Sequence, residues 1–503
     1  MVSLKKSYFY PMSKPSALFF GIISVLFLAN MLLMNDVLSY WPGSESWLVW
    51  RKLHDTVGFS LHEQVIAWFI SDEGGQLFWM RLPGVLVLLA GLLAFSSICK
   101  SIFGKTRMQW TLLVLMGSWL IPNLAKIASG DLWAFSFQLI GLSILLRYLK
   151  QPSGKWQWLL YLAFALSIWE QPIQSTLFLL LLSIGLYYFH PQGKNLGASY
   201  FWLVLPGLFL LNWGLNGGHW SHQSFFFKFP DPRFLYYNLL AYLPFAGFLL
   251  AGIRESISLA RKKEEFSRLI LICIFSALVG HSLCLQIAFA LLIARHLEAY
   301  FHQAYPWRNL VRGTMVILLV LTFCASALLL MLAFRQWGGL GFRAALAPVA
   351  LYWISSFIAI IGLYGLQRYS VWGGVLMGAI LLSISFWTNL NPFSENQKQA
   401  ARDFFATKLQ NAPENLPCFI LQEDNRPFSP LAAYAKSRFE KTTLLDNSSQ
   451  LNTAWEKSAE AIFILPVRQP IPDAPVDTLT LAQLSSGNLL WPDISYLILK
   501  KTK

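Results

Sequence analysis

The chain has 503 residues, of which 55% are hydrophobic and only 13% are charged. Soluble globular proteins have roughly 25% charged residues, so this composition excludes an ordinary soluble protein and indicates a polytopic membrane protein. The net charge of +14 does not indicate nucleic-acid binding, because most lysines and arginines fall in short loops between apolar segments.

Apolar segments long enough to cross a membrane recur along residues 1–388, the predicted transmembrane domain. A spanning helix needs about 20 apolar residues, and by that criterion there are about thirteen candidates. In chain order they are 16–34, 77–98, 109–124, 131–148, 156–170, 173–189, 199–215, 235–253, two short helices within 267–300, 313–334, 344–365 and 370–388. The run 267–300 is too long for one span, and we predict a break at "GHS", residues 280–282.

The charges of the loops predict which side of the membrane each loop occupies. With the N-terminus in the cytoplasm, most lysines and arginines fall in cytoplasmic loops, as the positive-inside rule requires. An odd number of spans then places the C-terminus in the periplasm. The sequence therefore predicts a multi-pass protein of the cell inner membrane.

Residues 35–76 form the first predicted periplasmic loop, and two of its stretches have helical periodicity. In "SESWLVWRKLHDTV" and "SLHEQVIAWFI", apolar residues recur on one helical face. This pattern predicts two short interfacial helices with their apolar faces toward the membrane. Glu45 follows Ser44, which is a good N-cap residue, and a first-turn carboxylate is favoured by the helix dipole. Glu45 therefore has a structural explanation beside a catalytic one.

A second predicted periplasmic stretch, "NGGHWSHQSFFFKFPDPR", is rich in basic and aromatic residues. His219, His222, Lys228 and Arg233 are candidates for binding a phosphate, and the paired glycines permit close backbone approach. An interfacial loop whose basic residues meet lipid headgroups explains the same composition.

The composition changes after residue 388. "CFILQ", "AIFILPV", "VDTLTL" and "ISYLILK" have the pattern of short strands, and the stretches between them are helical in pattern. Residues 389–503 are therefore predicted to form a small periplasmic α/β domain. The five cysteines include no CxxC and no Cys/His cluster, so neither a disulfide nor a structural metal is predicted.

The order of these elements resembles the GT-C superfamily of integral-membrane glycosyltransferases, in particular the lipid A aminoarabinose transferase and protein mannosyltransferase family. "FWMRLPGVL", with Arg81, matches the arginine that opens the family's next span. "KIASGDLWAFSF", with Asp131, matches the family's "LD" motif. The resemblance implies a mostly α, GT-C-like transmembrane domain, a first loop of interfacial helices and a C-terminal α/β domain.

The chain departs from this family at positions that carry catalysis. Ser44 stands where the family has the first acid of its "DE" pair, so that Glu45 alone remains acidic. His62 stands at a family lysine, Glu170 replaces the lysine of "TKG", and His281 stands at the family's basic helix break.

The resemblance implies a sugar donor on a polyprenyl phosphate carrier, with a divalent metal possible but not indicated. Carboxylates at a membrane boundary are costly unless they are used or paired. The candidate catalytic residues are Glu45, Asp131 and Glu170. The candidate phosphate-binding residues are Arg81, His219, His222, Lys228, Arg233, His281 and His62.

Several of these candidates have structural alternatives. Arg81 is equally explained as an ion-pair partner of Asp72 or Glu73. His281 is explained as a packed polar residue at the helix break. His62 and Glu63 are neighbours on a helix and face different ways, so they are not predicted to pair with each other.

Three functions are consistent with these features. The first is transfer of a sugar from the carrier to a lipid, glycan or protein acceptor outside the membrane. The alternative is a catalytically degenerate GT-C-like scaffold that binds lipid or a membrane protein partner. A secondary transporter is the third, and the absence of an internal repeat ranks it last.

Overall fold

The computed structural model describes residues 15–32, 60–69, 77–196, 201–215, 233–302, 304–390, 415–421, 435–436, 438–445, 448–458, 460–466, 476–484 and 494–501. The helices, in chain order, are α1 (Ala17–Leu32), α2 (Leu61–Ala67), α3 (Leu77–Phe103), α4 (Lys105–Met116), α5 (Leu120–Leu124), α6 (Gly130–Lys150), α7 (Gly154–Glu170), α8 (Pro172–Phe189), α9 (Phe201–Leu215), α10 (Arg233–Leu240), α11 (Ala246–Arg261), α12 (Glu265–Val279), α13 (Cys284–Ala299), α14 (Arg308–Gly365), α15 (Arg368–Trp372), α16 (Gly378–Ser385) and α17 (Ser448–Lys457). Two π-helical turns, Gly373–Met377 and Phe386–Leu390, precede and follow α16.

Within the described residues, six helical segments are long and apolar enough to cross a membrane, and α1 and α9 are shorter apolar helices. Each segment predicted as a span is helical over most of its length. The expectation of a mostly α, polytopic membrane fold is therefore confirmed. Among the six spans α6 is the most enclosed, with 89% of its apolar window buried, and it packs against α3 and α7.

Helix α14 contains two antiparallel helices rather than one. Its 58 residues would extend about 87 Å at 1.5 Å per residue, far beyond a hydrocarbon core of about 30 Å. Gly338 has φ +67°, a left-handed backbone that glycine adopts readily, and the chain turns there. Trp353 Nε1 donates to Ser326 Oγ at 3.3 Å, so the two halves pack against each other. The two spans predicted at 313–334 and 344–365 correspond to these halves.

The predicted break within 267–300 is also present. Helix α12 ends at Val279 and α13 begins at Cys284, and His281 between them has φ +49°. A Cβ on Gly280 would lie 2.7 Å from the backbone nitrogen of Phe178 in α8. Only glycine fits this approach, so the break is held tightly against α8.

The C-terminal part contains a five-stranded sheet among its described residues. The strands are β1 (Cys418–Leu421), β2 (Thr442–Leu445), β3 (Ala461–Pro466), β4 (Val476–Leu484) and β5 (Ile494–Lys501), in the order β2-β1-β3-β5-β4. Strands β2, β1 and β3 are parallel, whereas β5 pairs antiparallel with β3 and β4. Trp455 of α17 packs on Phe463 of β3. This is the expected α/β arrangement, and the boundary at residue 389 stays a prediction.

A network of buried and partly buried charges joins α11, α12 and α13 at the end of the bundle where α6 terminates. Arg295 of α13 donates to Glu255 Oε1 at 3.1 Å and to Glu264 Oε1 at 3.3 Å. Its guanidinium also lies 5.5 Å from the ring centroid of Phe266, which contacts Phe103 at the end of α3. One arginine therefore compensates two carboxylates from different elements.

We expect Arg295→Met to destabilise the protein by about 1–3 kcal/mol, because it removes the cation from two partly buried carboxylates, Glu255 and Glu264. Thermal unfolding of the detergent-purified protein measures this. Arg261→Met is the matched control, since Arg261 is exposed at the end of α11. Equal unfolding temperatures for the two variants would show that the network contributes nothing.

Candidate functional site

Helix α2 presents a polar face to the bundle. It packs against α3, α6 and α7, and its buried residues are His62, Glu63 and Ile66, each at most 1% exposed. Trp68, which immediately follows it, is 80% exposed. The expectation that Trp68 and its apolar neighbours face the membrane fits this exposure. The sequence did not indicate that the opposite, polar face of α2 is buried against other helices.

His62 and Glu170 form a buried pair at this interface. His62 Nδ1 lies 2.7 Å from Glu170 Oε2, and the His62 backbone N–H donates to Glu170 Oε1 at 3.0 Å. Both side chains are fully enclosed. Glu170 is the last residue of α7, so the carboxylate is held by two contacts to one residue of α2. His62 and Glu63 do not pair with each other by this geometry, as expected from their neighbouring positions.

The pKa of His62 is set by two opposing effects. Burial of the imidazole lowers its pKa, but the Glu170 carboxylate raises it through charge attraction and a hydrogen bond, and Glu63 and Asp131 raise it further. The result is a pKa above the ordinary value of 6.5. Nε2, the other ring nitrogen, is buried and has no hydrogen-bond partner among the described residues. A protonated His62 therefore has one N–H that no group in the described part of the chain accepts.

Gly130 permits His62 to lie against the N-terminus of α6. A Cβ at this position would be 2.7 Å from His62 Cε1 and 2.9 Å from Nδ1. Such distances are too short for a real contact, so any side chain at residue 130 would displace the imidazole from Glu170.

We expect Gly130→Ala to shift His62 and to cost about 1–3 kcal/mol of stability through overpacking. Thermal unfolding measures the loss. Gly154→Ala is the matched control, because Gly154 is likewise the first residue of a helix, α7, and has nothing within 4 Å of the added methyl. If Gly130→Ala is as stable as the control, the contact with His62 is not tight.

Asp131 joins the same cluster from the first turn of α6. The Gln171 side-chain amide donates to Asp131 Oδ1, and Gln171 directly follows Glu170 in the link between α7 and α8. Asp131 is 6% exposed. The structure thus brings together three sequence candidates, His62, Asp131 and Glu170. We refer to these residues with Gln171 as the His62 cluster.

The structure describes two further candidates, Arg81 and His281. Arg81, in the second turn of α3, is 1% exposed, and Asp72 and Glu73, its suggested partners, lie outside the described residues. The ring of His281 packs 4.9 Å from that of Phe234. Its neighbour Ser282 donates to Gln138, which is seven residues beyond Asp131 and so about 10 Å further along α6. The structure therefore separates His281 from the His62 cluster.

Other candidates lie outside the described residues. These are Glu45, His219, His222, Lys228 and the side chain of Arg233. Among the residues that the structure describes, there is no group of three or more His, Cys, Asp or Glu side chains positioned to hold a metal ion.

Sequence reasoning missed Lys126, which lies between α5 and α6. Its side chain is 1% exposed, its Nζ donates to Asn30 Oδ1 at 2.9 Å, and Nζ lies 3.9 Å from the ring centroid of Trp387. Burial lowers the pKa of this amine to about 6. A lysine in a loop predicted to be periplasmic is unusual under the positive-inside rule, and that was the available signal.

The fold is shared with a protein of known structure, although the sequence matches no protein-family model and no curated protein. ArnT from Cupriavidus metallidurans in the apo state is similar with a TM-score of 0.64 and 12% identity, over 96% of this chain and 97% of ArnT. The same protein bound to undecaprenyl phosphate gives a TM-score of 0.62 at 12% identity, with the same coverage. The chain therefore has an ArnT-like fold along nearly its whole length, which confirms the expected GT-C-like architecture.

Proposed function

We propose that this protein is a GT-C glycosyltransferase that moves a sugar from a polyprenyl-phosphate carrier to a lipid, glycan or protein acceptor. The ArnT-like fold supports the class, and the ArnT structure with undecaprenyl phosphate supports the carrier. The observation that carries the proposal is the buried pair of His62 and Glu170 beside Asp131. We place the reaction at the periplasmic face of the inner membrane, because the loop charges predict that this end of the bundle faces the periplasm.

Transfer breaks the bond between the sugar's anomeric carbon and a phosphate oxygen, and forms a bond from an acceptor oxygen to that carbon. The acceptor loses a proton, and the departing phosphate keeps the electron pair of the broken bond. A base is needed to take the acceptor's proton, and a cation or proton donor is needed to stabilise the negative charge on the departing phosphate.

His62 suits the departing phosphate. Its raised pKa favours the imidazolium form, and Nε2 has no hydrogen-bond partner among the residues that the structure describes. Glu170 has both oxygens engaged by His62, so it acts by positioning and charging the imidazole rather than as a base. Arg81, buried near the start of α3, is the second cation that we assign to the phosphate.

Asp131 suits the acceptor. It lies at the positive N-terminus of α6, and the Gln171 amide fixes one of its oxygens. A carboxylate oriented in this way accepts the proton of an acceptor hydroxyl as the new bond forms.

The degenerate scaffold is less well supported. His62 and Glu170 both stand at positions where the family has a lysine, and they contact each other at 2.7 Å. Independent loss of two catalytic residues gives no reason for the replacements to form one buried pair. A matched pair indicates a site maintained with a different charge arrangement.

The test uses the full-length protein in nanodiscs with undecaprenyl-phosphate-linked sugars as donors. Release of undecaprenyl phosphate, detected by mass spectrometry and dependent on the protein, is the expected result. Binding of undecaprenyl phosphate without release from any donor would support the scaffold. A protein that does not bind the carrier at all would contradict both.

A further inference from the structure

The two antiparallel halves of α14 are the least enclosed of the six candidate spans in the described chain. Only 11% of the apolar window of this helix is buried, against at least 35% in each of the other five segments. Phe323 contacts Trp353 at 4.4 Å between ring centroids, and Phe334 contacts Phe342 at 6.4 Å. The halves therefore pack along each other up to the turn at Gly338, while much of their remaining surface is exposed.

A groove of about 430 Å³ opens on this surface near the turn. Its lining residues are all apolar: Ala327, Leu330, Met331, Phe334 and Phe342. The first four have i, i+3, i+4, i+7 spacing, so they occupy one face of the first half, and Phe342 borders the groove from the second half. Met331 and Phe334 are each 59% exposed. Along the helix the groove extends about 10 Å, and it is open to the surrounding lipid.

Two arginines flank the end of the groove that is nearest the turn. Arg335 directly follows Phe334 and is four residues beyond Met331, so it is a neighbour of Met331 on the helix surface. Arg343 directly follows Phe342 in the second half, and both arginines are exposed. Packed helices have their axes about 8–10 Å apart, which places these two long, flexible side chains within reach of one small anion.

The opposite end of α14 shows how an arginine is satisfied within the bundle. Arg312 Nη2 donates to the carbonyl oxygens of Leu363 at 3.0 Å and Tyr364 at 3.1 Å, and its guanidinium lies 4.7 Å from the centroid of the Tyr364 ring. An arginine is also expected there, because that end is predicted to be cytoplasmic. Arg335 and Arg343 lie at the predicted periplasmic turn, where the positive-inside rule disfavours them. Sidedness therefore does not explain these two cations.

The shape and chemistry of the groove suit a phospholipid. Its lining includes no hydrogen-bonding side chain, which favours a hydrocarbon chain over a sugar or a peptide. A length of about 10 Å is a third of the about 30 Å over which a partner's transmembrane helix would pack. A guanidinium binds phosphate through two parallel N–H donors, so the arginines favour a phosphate at the interfacial end. Two cations at one place favour a headgroup with net negative charge.

We propose that this groove binds one anionic phospholipid of the membrane, with an acyl chain along residues 327–334 and the phosphate between Arg335 and Arg343. The site is independent of the proposed function. The halves of α14 pack mainly on α11, α15 and α16, whereas the His62 cluster lies among α2, α6 and α7. The bound lipid is therefore a ligand of the α14 turn and not a substrate.

The experiment uses native mass spectrometry to identify the lipid that stays bound to the full-length protein. The protein is purified from nanodiscs with equal amounts of phosphatidylglycerol and phosphatidylcholine that carry the same acyl chains. The wild type is expected to retain phosphatidylglycerol over phosphatidylcholine by about 10-fold or more, the size of effect that one charged hydrogen bond gives. The double variant Arg335→Gln, Arg343→Gln should retain the two lipids nearly equally.

The matched control removes two exposed cations from the other end of the bundle. Arg261→Gln with Lys262→Gln causes the same change of net charge at the end of α11. This double variant should keep the preference of the wild type for phosphatidylglycerol. An equal loss of preference in both double variants would show a general effect of charge and would overturn the proposal.

A second pair of variants tests the groove without changing any charge. Ala327→Phe fills the groove and should reduce the amount of retained phosphatidylglycerol about 10-fold. Leu328→Phe is the control, because Leu328 is exposed on the same helix but does not line the groove. Both positions are on the exposed surface of α14, so neither change disturbs the core. Equal lipid retention in the two variants would mean that the acyl chain does not lie in the groove.

Other occupants give distinct results. If the wild type retains phosphatidylglycerol and phosphatidylcholine equally, the arginines select no headgroup and the proposal is wrong. If undecaprenyl phosphate, added at the same concentration, displaces the phospholipid, the groove is a site for the carrier and the proposal is overturned. A dimer that dissociates in Ala327→Phe would assign the groove to a second copy of the chain and would also overturn it.

Discussion

Asp131→Asn is expected to lower kcat by about 10²- to 10⁴-fold, the range typical for loss of a positioned general base. Asparagine has the same shape, and its carbonyl still accepts the hydrogen bond from Gln171, so the cluster keeps its geometry. What is lost is the ability to take the acceptor's proton. The measurement is release of undecaprenyl phosphate from a sugar donor, with carrier binding measured in the same preparation.

Glu265→Gln is the matched control for that change. Glu265 is also a first-turn carboxylate, of α12, but it is exposed. Its replacement should leave turnover unchanged. If Asp131→Asn retains full turnover, the base lies elsewhere, and Glu45 is the first residue to test.

The fold was largely predictable because membrane-spanning helices are local features. Twenty apolar residues form a span whatever their neighbours are, and a glycine such as Gly338 is compatible with a turn between two spans. Strand β2 was missed. Its sequence, "TTLL" at Thr442–Leu445, is too short to show an alternating pattern, and its pairing with β1 depends on residues 24 positions away.

The site was predictable as a set of residues but not as an arrangement. His62 and Glu170 are 108 residues apart, and their contact depends on how α2 and α7 are rotated about their axes. Neighbour spacing excludes a His62–Glu63 pair but cannot supply the distant partner. The periodicity of α2 indicated where its apolar face lies, whereas burial of the polar face depends on α3, α6 and α7.

Lys126 is another residue whose environment could not be predicted from the local sequence. Its enclosure depends on residues far away in the sequence, since Asn30, Ser383 and Trp387 come from the first and last helical segments of the described bundle. No local pattern distinguishes a lysine that will be enclosed by neutral groups from one that will face lipid headgroups. The positive-inside rule marks a lysine in a predicted periplasmic loop as unusual, but its burial depends on how distant helices pack.

His62→Gln is expected to lower kcat by about 10²- to 10³-fold, because glutamine fills much of the space but cannot carry the positive charge or transfer a proton. Glu170→Gln should lower kcat by a similar factor, since it leaves His62 buried without its carboxylate. The two act as a unit, so the double variant should be little worse than either single one.

The pH profile separates this mechanism from a merely structural pair. In the wild type the reactive form of His62 is the imidazolium, so kcat should fall as pH rises through its raised pKa, above 6.5. By the same linkage, the pair stabilises the fold fully below about pH 6.5 and loses that contribution as pH rises through the folded-state pKa.

Glu170→Gln removes the main effect that raises the pKa of His62. The alkaline limb of the pH profile, where kcat falls, should therefore move to lower pH in this variant. A pair that only held α2 against α7 would lose stability in this variant without moving the limb. An unmoved limb would therefore remove the imidazolium from the mechanism.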